Sequence, residues 1–184
     1  MKHIVHKAYW DYEKEEQWLN EMSQRGLALE DYSWCRYVFR DAPAGKYIYR
    51  IELLDKTGSH YESQKYLRFL EETGIECVAT YMRWAFLRKE ASIGPFDLYS
   101  DIDSKINYYS KVINFWNIFA AMELVIGVMN VLIGLVNGGR YGGLGFNFFL
   151  GLPLVGLGVA LVKLGDPLRA KIKRLQQERA VQEL

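Results

Sequence analysis

The sequence predicts an α+β chain: a ferredoxin-like antiparallel sandwich, then a two-helix transmembrane hairpin and a C-terminal helix. Three observations predict it. Residues 1–100 run through short amphipathic segments separated by turn residues, in the order strand, helix, strand, strand, helix, strand, with one further strand. That is the βαββαβ order extended by a hairpin. Two apolar stretches follow, residues 112–136 and 146–162, split by the short loop 137–145. The remainder, 168–184, is basic and carries Leu168, Ile172, Leu175 and Val181 on one side. The expected boundaries are 1–100 for a cytoplasmic α+β domain, 101–164 for a linker helix and two transmembrane helices, and 165–184 for a basic cytoplasmic helix.

Residues 2–9 read as a first strand. Asp11 is placed to cap the first helix, its carboxylate accepting from the free amides of the opening turn. Glu13, Glu15 and Glu16 suit the positive end of the helix dipole. Trp18, Leu19 and Met22 make its apolar stripe, and Gly26 supplies a left-handed stop. Within 27–40 the tail alternates, with Cys35, Tyr37 and Phe39 on one face and Arg36 and Arg40 on the other. Residues 41–45, Asp-Ala-Pro-Ala-Gly, are a turn signal. Residues 47–53 alternate again, so 34–40 and 47–53 are expected to pair as a hairpin. Ser59 and Glu62 stand at capping-box spacing. They start a second helix that buries Tyr66, Leu67 and Leu70 and stops at Gly74. Residues 75–80 and 83–89 read as two more strands, 92–95 as a break, and Asp101 opens the helix leading to the first apolar stretch. Two helices are expected on one face of the sheet, with the other face open.

The first apolar stretch exceeds the about 20 helical residues that cross a hydrocarbon core of about 30 Å. The second reaches that length with Gly145 and Leu164 included. A loop this short makes the spans antiparallel. Lys105 and Lys111 precede the first span. Lys163, Arg169, Lys171, Lys173, Arg174 and Arg179 follow the second, and the loop holds only Arg140. Lys and Arg beside a span stay on the cytoplasmic side, so a multi-pass cell-membrane protein with both termini cytoplasmic is expected. Gly165 suits a helix stop, Asp166 a cap and Pro167 a first turn. Lys171, Lys173 and Arg174 suit a helix lying on anionic lipid or packed on a partner.

Residues 1–100 hold 14 Lys and Arg against 16 Asp and Glu. That balance argues against direct nucleic-acid binding, whose affinity comes largely from phosphate neutralisation. Cys35 and Cys77 both fall in predicted strands and are expected to be reduced, packed thiols. Three histidines without a Cys-x-x-Cys give no structural zinc site, and no cofactor is implied. There is no Gly-x-Ser-x-Gly, no His-Glu-x-x-His and no phosphate loop. The acid pairs Glu15–Glu16 and Glu71–Glu72 read as solvated helix faces. The chain is therefore expected not to be an enzyme.

Glu123 is the first candidate site, near the middle of the first span, where a charge costs roughly 3 kcal/mol or more. Its readings are a polar contact in a helix bundle, a ligand sensor, a proton-linked group, or a carboxyl kept neutral by its surroundings. Asn130, Asn147 and a second copy of the chain are its candidate partners. Gly134-x-x-x-Gly138 and Gly138-x-x-x-Gly142 are the small-residue spacings that let helix backbones approach closely. Pro153 is expected to kink or loosen the second span. Trp10, Trp18, Trp34, Tyr37, Tyr47, Tyr49, Tyr81 and Trp84 read mostly as core.

The fragments Glu15-Glu-Gln-Trp-Leu-Asn-Glu-Met22, Gln24-Arg-Gly-Leu27, Tyr37-Val-Phe39 and Gly45-Lys-Tyr-Ile-Tyr-Arg-Ile-Glu-Leu-Leu54 resemble domain of unknown function 2812, a family of bacterial proteins. The resemblance spans roughly residues 2–100. It implies membrane spans after the domain and a role in membrane-linked gene regulation, with a PadR-type transcription regulator as a candidate partner. It implies no catalytic residues. The expected function is a membrane-anchored regulatory or sensor protein, held in the lipid bilayer, whose cytoplasmic domain binds a protein partner. The alternatives are an accessory subunit of a membrane transport complex and a small-ligand-binding domain.

Overall fold

The computed structural model describes residues 1–99, 101–141 and 143–182. The chain divides into two compact units, Met1–Leu98 and Tyr99–Leu184.

In the first unit the elements are β1 (Lys2–His6), α1 (Tyr12–Gln24), β2 (Leu27–Ser33), β3 (Arg36–Asp41), β4 (Tyr47–Leu53), α2 (Tyr61–Glu72), β5 (Ile75–Tyr81) and β6 (Trp84–Glu90), followed by a 3₁₀ turn at Ala91–Ile93. The α+β class holds. The single ferredoxin-like sheet does not: the strands form two three-stranded antiparallel sheets, ordered β1-β3-β2 and β4-β6-β5. One βαββ plan is built twice. In each copy the strand after the helix carries a bulge, between Leu29 and Asp31 and between Cys77 and Ala79. In each a glycine in the left-handed region, Gly26 at φ 83° and Gly74 at φ 84°, leads from the helix into that strand.

The expected pairing of 34–40 with 47–53 is corrected: β3 pairs with β1 and β2, and β4 pairs with β6. The physical reason lies on α1, which occupies the free edge of β4 with three side chains. Glu16 Oε2 accepts the Ile51 N–H at 3.0 Å. Asn20 accepts the Tyr49 N–H at 2.9 Å and donates to the Tyr49 carbonyl at 3.1 Å. Ser23 Oγ donates to the Tyr47 carbonyl at 2.6 Å and accepts the Tyr47 N–H at 3.3 Å. The spacing of these residues on the helix turns a row of side chains into a substitute strand. An unpaired edge is a liability that must be covered, and here a helix covers it. The loop between β3 and β4 is drawn back to the end of α1, where Ala42 N–H bonds the Gly26 carbonyl at 2.9 Å and Gly45 N–H the Ser23 carbonyl at 2.8 Å.

Asp11 caps α1 as expected, accepting the Glu13 N–H at 3.0 Å. The cap of α2 is His60, whose Nδ1 accepts the Glu62 N–H at 3.3 Å. The Ser59 capping box is thus displaced by one residue. Cys35 lies outside the strands, in the β2–β3 turn with φ 56°, and Cys77 lies in β5. Leu19, Leu29, Tyr37, Phe39, Tyr49, Ile51 and Phe86 belong to one core cluster, and Leu54, Leu67, Leu70, Ala85, Leu87 and Phe96 to a second. The backbone of Leu29, beside the first bulge, is held by the other sheet. Its N–H donates to the Tyr49 hydroxyl at 2.8 Å, and its carbonyl accepts from buried Arg88 at 2.8 Å. Arg88 also grips Glu76 with two bonds, at 2.8 and 2.7 Å.

The second unit consists of α3 (Ile102–Tyr141), α4 (Phe146–Leu164) and α5 (Asp166–Gln182). The 40 residues of α3 make a rod of about 60 Å. Gly165 separates α4 from α5 by one residue, and both pack on α3. The contacts run in opposite directions along the two rods. Gly134 meets Phe148, Gly127 meets Val155, Leu124 meets Gly158, Asn117 meets Arg169 and Asp103 meets Arg179. The pair is therefore antiparallel. Buried positions recur every seventh residue: Ile113, Ala120, Gly127 and Gly134 on α3, and Gly151, Gly158 and Gly165 opposite, with Leu161 and Leu168 alongside. A seven-residue repeat is the mark of a left-handed, shallow crossing. Glycine is required in this seam, since a Cβ on Gly151 would stand 2.5 Å from the Gly127 carbonyl oxygen.

Outside the seam, α4 and the stretch of α3 from Ile118 to Val136 present a mostly apolar surface. Ile118, Met122, Val125, Met129, Leu132 and Val136 of α3 and Phe149, Leu152 and Val159 of α4 are exposed. Both rods are long and apolar enough to cross a membrane.

Candidate functional site

Two polar constellations stand out, one in each unit. In the helical unit, the sequence pointed to Glu123, Asn130 and Asn147. The two asparagines find each other: Asn147 Nδ2 donates to Asn130 Oδ1 at 3.2 Å, while Asn130 Nδ2 donates to the Ile126 carbonyl one turn below at 2.9 Å. Glu123 is half-buried and has no hydrogen bond or ion pair among the described residues. Its helical partner offers nothing at that level, because residues 150–162 are entirely apolar, glycine or proline.

Gly134 and Gly138 are buried where the chain turns from α3 into α4. Their carbonyls accept the N–H groups of Gly145 at 3.0 Å and Gly143 at 2.9 Å. Their small size serves the turn and the intrachain seam. Gly142, the third residue of that pattern, lies outside the described residues. Pro153 is within α4, which continues through it. On α5, Lys171 is half-buried with its ammonium 5.8 Å from the Tyr109 ring centre, whereas Lys173 and Arg174 are exposed. Arg169 spans the pair, donating to Asn117 at 2.9 Å, to the Val162 carbonyl at 2.8 Å and to Asp166 at 2.7 Å.

In the α+β unit the site is Glu15, which sequence reasoning had assigned to a solvated face. It is buried in the first turn of α1. The signal was present: Glu15, Leu19 and Met22 share the spacing of one helix face, so the apolar stripe continues onto the carboxylate. Glu16 is likewise engaged, with Ile51 as above and with Arg50 at 3.1 Å. Glu71 and Glu72 are exposed.

The Glu15 carboxylate accepts a bond from the Tyr37 hydroxyl at 2.5 Å. Burial pushes its pKa up to about 7, against the opposing effect of that bond. The Tyr37 hydroxyl is pushed far up in turn, by burial and then by the carboxylate. Rings close the surroundings. Trp18 meets Tyr37 edge-on at 4.8 Å, Tyr32 lies 4.8 Å from Tyr37 and 4.2 Å from Phe86, and Tyr12 stacks on Trp84 at 5.6 Å. Outside them Lys7 sits over Tyr9 and Trp18 at 4.7 and 4.8 Å, a cation–π arrangement. This assembly can hold and release one proton near neutrality. Among the described residues no group of three or more His, Cys, Asp or Glu could hold a metal ion.

A family model described as Protein of unknown function (DUF2812) matches residues 11–121. No curated protein and no solved structure matches the chain.

Proposed function

The chain belongs to the DUF2812 family, and from that premise we propose that it is a membrane-anchored regulatory protein whose α+β unit binds a protein partner. One observation carries the reading. The apolar side chains of α3 and α4 point outward and stay exposed, while glycines and asparagines fill the seam between the rods. A hairpin buried in a water-soluble protein has the opposite polarity, so hydrocarbon is the solvent that suits these surfaces. The Lys and Arg bias at the helix ends supports cytoplasmic termini and an external loop. The proposed role is binding rather than catalysis, and a PadR-type transcription regulator is the candidate partner that the family resemblance offers.

The test is co-purification of the full chain from its native membrane with candidate partners present. A regulator held through the α+β unit remains bound when residues 112–162 are exchanged for an unrelated hairpin. Loss of all partners on that exchange overturns the reading. It favours instead an accessory subunit of a membrane complex, packed laterally through its spans. Glu123 favours that second reading, since a carboxyl in mid-span with no partner among the described residues suits a donor on a neighbouring helix. Glu123→Leu separates the two: it abolishes assembly for the accessory subunit and leaves partner binding intact for the regulator.

A further inference from the structure

We propose that the open face of the β1-β3-β2 sheet docks on an anionic lipid surface, bringing the α+β unit flat against the membrane; the inference rests on the tether proposed above. In an antiparallel ladder, residues directly opposite each other project from the same side of the sheet. The register pairs Lys2 with Arg40, Ile4 with Val38 and His6 with Arg36; Val38 is buried, while Lys2, Ile4, His6 and Arg40 are exposed. Lys2 and Arg40 thus face one another across the two strands, and Arg36 follows on the same side. Like charges directly opposite destabilise a sheet, and a local rule broken on this face points to a use for it. The other side of these strands supplies the core through Tyr37 and Phe39.

Acidic neighbours cancel the charge only in part. Glu30 reaches Lys2 at 3.1 Å and Asp31 lies 3.9 Å from Arg36, but Arg40 is exposed and has no ion pair among the described residues. Exposed Glu62, Glu71 and Glu72 gather on α2 instead, so the net negative charge of this unit is not on the basic face.

The apolar residues select the lipid. Ile4 stands between the Lys2–Arg40 and His6–Arg36 pairs and is 54 % exposed, and Trp34, in the turn beyond Arg36 with its ring edge-on to Tyr81 at 6.1 Å, is 72 % exposed. Basic side chains attracted to lipid phosphates and an indole at headgroup depth are the two signatures of an interfacial surface. Tethering makes the encounter intramolecular, so a weak attraction suffices.

The experiment places the full chain in nanodiscs of phosphatidylcholine, or of equal parts phosphatidylcholine and phosphatidylglycerol. Acylation of Lys2 and modification of His6 are followed by mass spectrometry, with exposed Lys65 on α2 as the internal reference. Docking slows both reactions severalfold in the anionic discs only. Added salt relieves the protection, because surface attractions are screened over about 10 Å at 0.1 M. Arg40→Gln weakens the docking by roughly fivefold, the worth of one basic residue near such a surface, whereas Arg68→Gln on α2 changes nothing. Equal labelling in the two discs overturns the docking alone, and so does protection indifferent to lipid charge. A chain that alkaline carbonate strips from the membrane overturns the tether, and the docking with it.

Discussion

The two units solve the same problem with opposite arrangements. The α+β unit puts its largest side chains inside: Tyr37, Tyr49, Phe39 and Phe86 are almost fully buried, and the polar groups among them are bonded to neighbours. The helical unit puts glycine at the centre of its seam, with Ile113, Leu161 and Leu168 beside it, and leaves most of its Met, Ile, Leu and Phe side chains outside. Burial of apolar area drives the first arrangement in water. It gives nothing between helices already in hydrocarbon, where close backbone approach and interhelical hydrogen bonds take over. The contrast teaches that the position of the small residues, more than average hydrophobicity, reports the solvent for which each unit is built.

The sharpest way to break the comparison is to fill the glycine seam. In Gly151→Leu the new side chain begins 2.5 Å from a backbone oxygen of Gly127, which has nowhere to move. Overpacking of this kind costs about 3 kcal/mol or more. The expected outcome is loss of the protease-resistant helical pair in detergent. Gly156→Leu is the matched control, because nothing lies within 4 Å of a Cβ there. Equal tolerance of the two changes would show that α3 and α4 do not pack along this seam.

Glu15 tests the other unit. A carboxyl whose folded pKa lies above its unfolded value favours the protonated folded state. Its contribution is fully present below the unfolded value of 4.5 and is lost as pH rises through about 7. At about 1.4 kcal/mol per pH unit, that difference corresponds to ~3 kcal/mol. Urea midpoints of the α+β unit should fall between pH 5 and pH 8, and Glu15→Gln should flatten the decline by raising stability at pH 8. A decline of the same size in the variant would move the titration to another group.

Next in size is the covered edge of β4. Asn20→Ala leaves the Tyr49 N–H without its partner and the Tyr49 carbonyl with only the Arg50 guanidinium at 3.0 Å, at a cost of about 2 kcal/mol for a buried group left unmade. Because an exposed edge recruits other strands, the variant should also aggregate on warming, read by light scattering beside the unfolding midpoint. A silent Asn20→Ala would mean that water serves this edge as well as α1 does.

What the sequence made legible follows from how local each feature is. Asp11, Gly26 and Gly74 act within a turn of their own helix, so their roles could be read directly, as could the alternation in β4. Strand pairing was not legible, because the decision against a β3–β4 hairpin is made by Glu16, Asn20 and Ser23, distant in sequence from the strand they cover. The duplicated βαββ plan was hidden because few side chains repeat: Phe39 corresponds to Leu87 in the bulged pairing, and Tyr37 to Ala85. Glu15 was misread because residue type was weighed above its place on the Leu19–Met22 stripe. In the helical unit Glu123, Asn130 and Asn147 stand out in the sequence as polar residues in apolar stretches, but the partner of each asparagine depends on the register between α3 and α4. Gly127 escaped notice because it belongs to a seven-residue repeat, while the search was for glycines four apart.

The smallest expected effect sharpens the comparison most finely. Asn130 and Asn147 bond across the helical pair at 3.2 Å, much as Asn20 bonds across to β4. In water-soluble surroundings, losing such a partner strands a buried group. In a bilayer, the separated helices let each asparagine find other partners, and measured couplings average about 0.6 kcal/mol. A double-mutant cycle of Asn130→Ala and Asn147→Ala, read as resistance of the helical pair to denaturing detergent, should give a coupling of that order. Asn130 keeps its bond to the Ile126 carbonyl in the Asn147→Ala variant, so that single change should be the milder of the two. A coupling as large as the Asn20→Ala loss would place this pair in water-like surroundings and remove the contrast between the units. A coupling near zero would mean that the glycine seam alone holds α3 to α4.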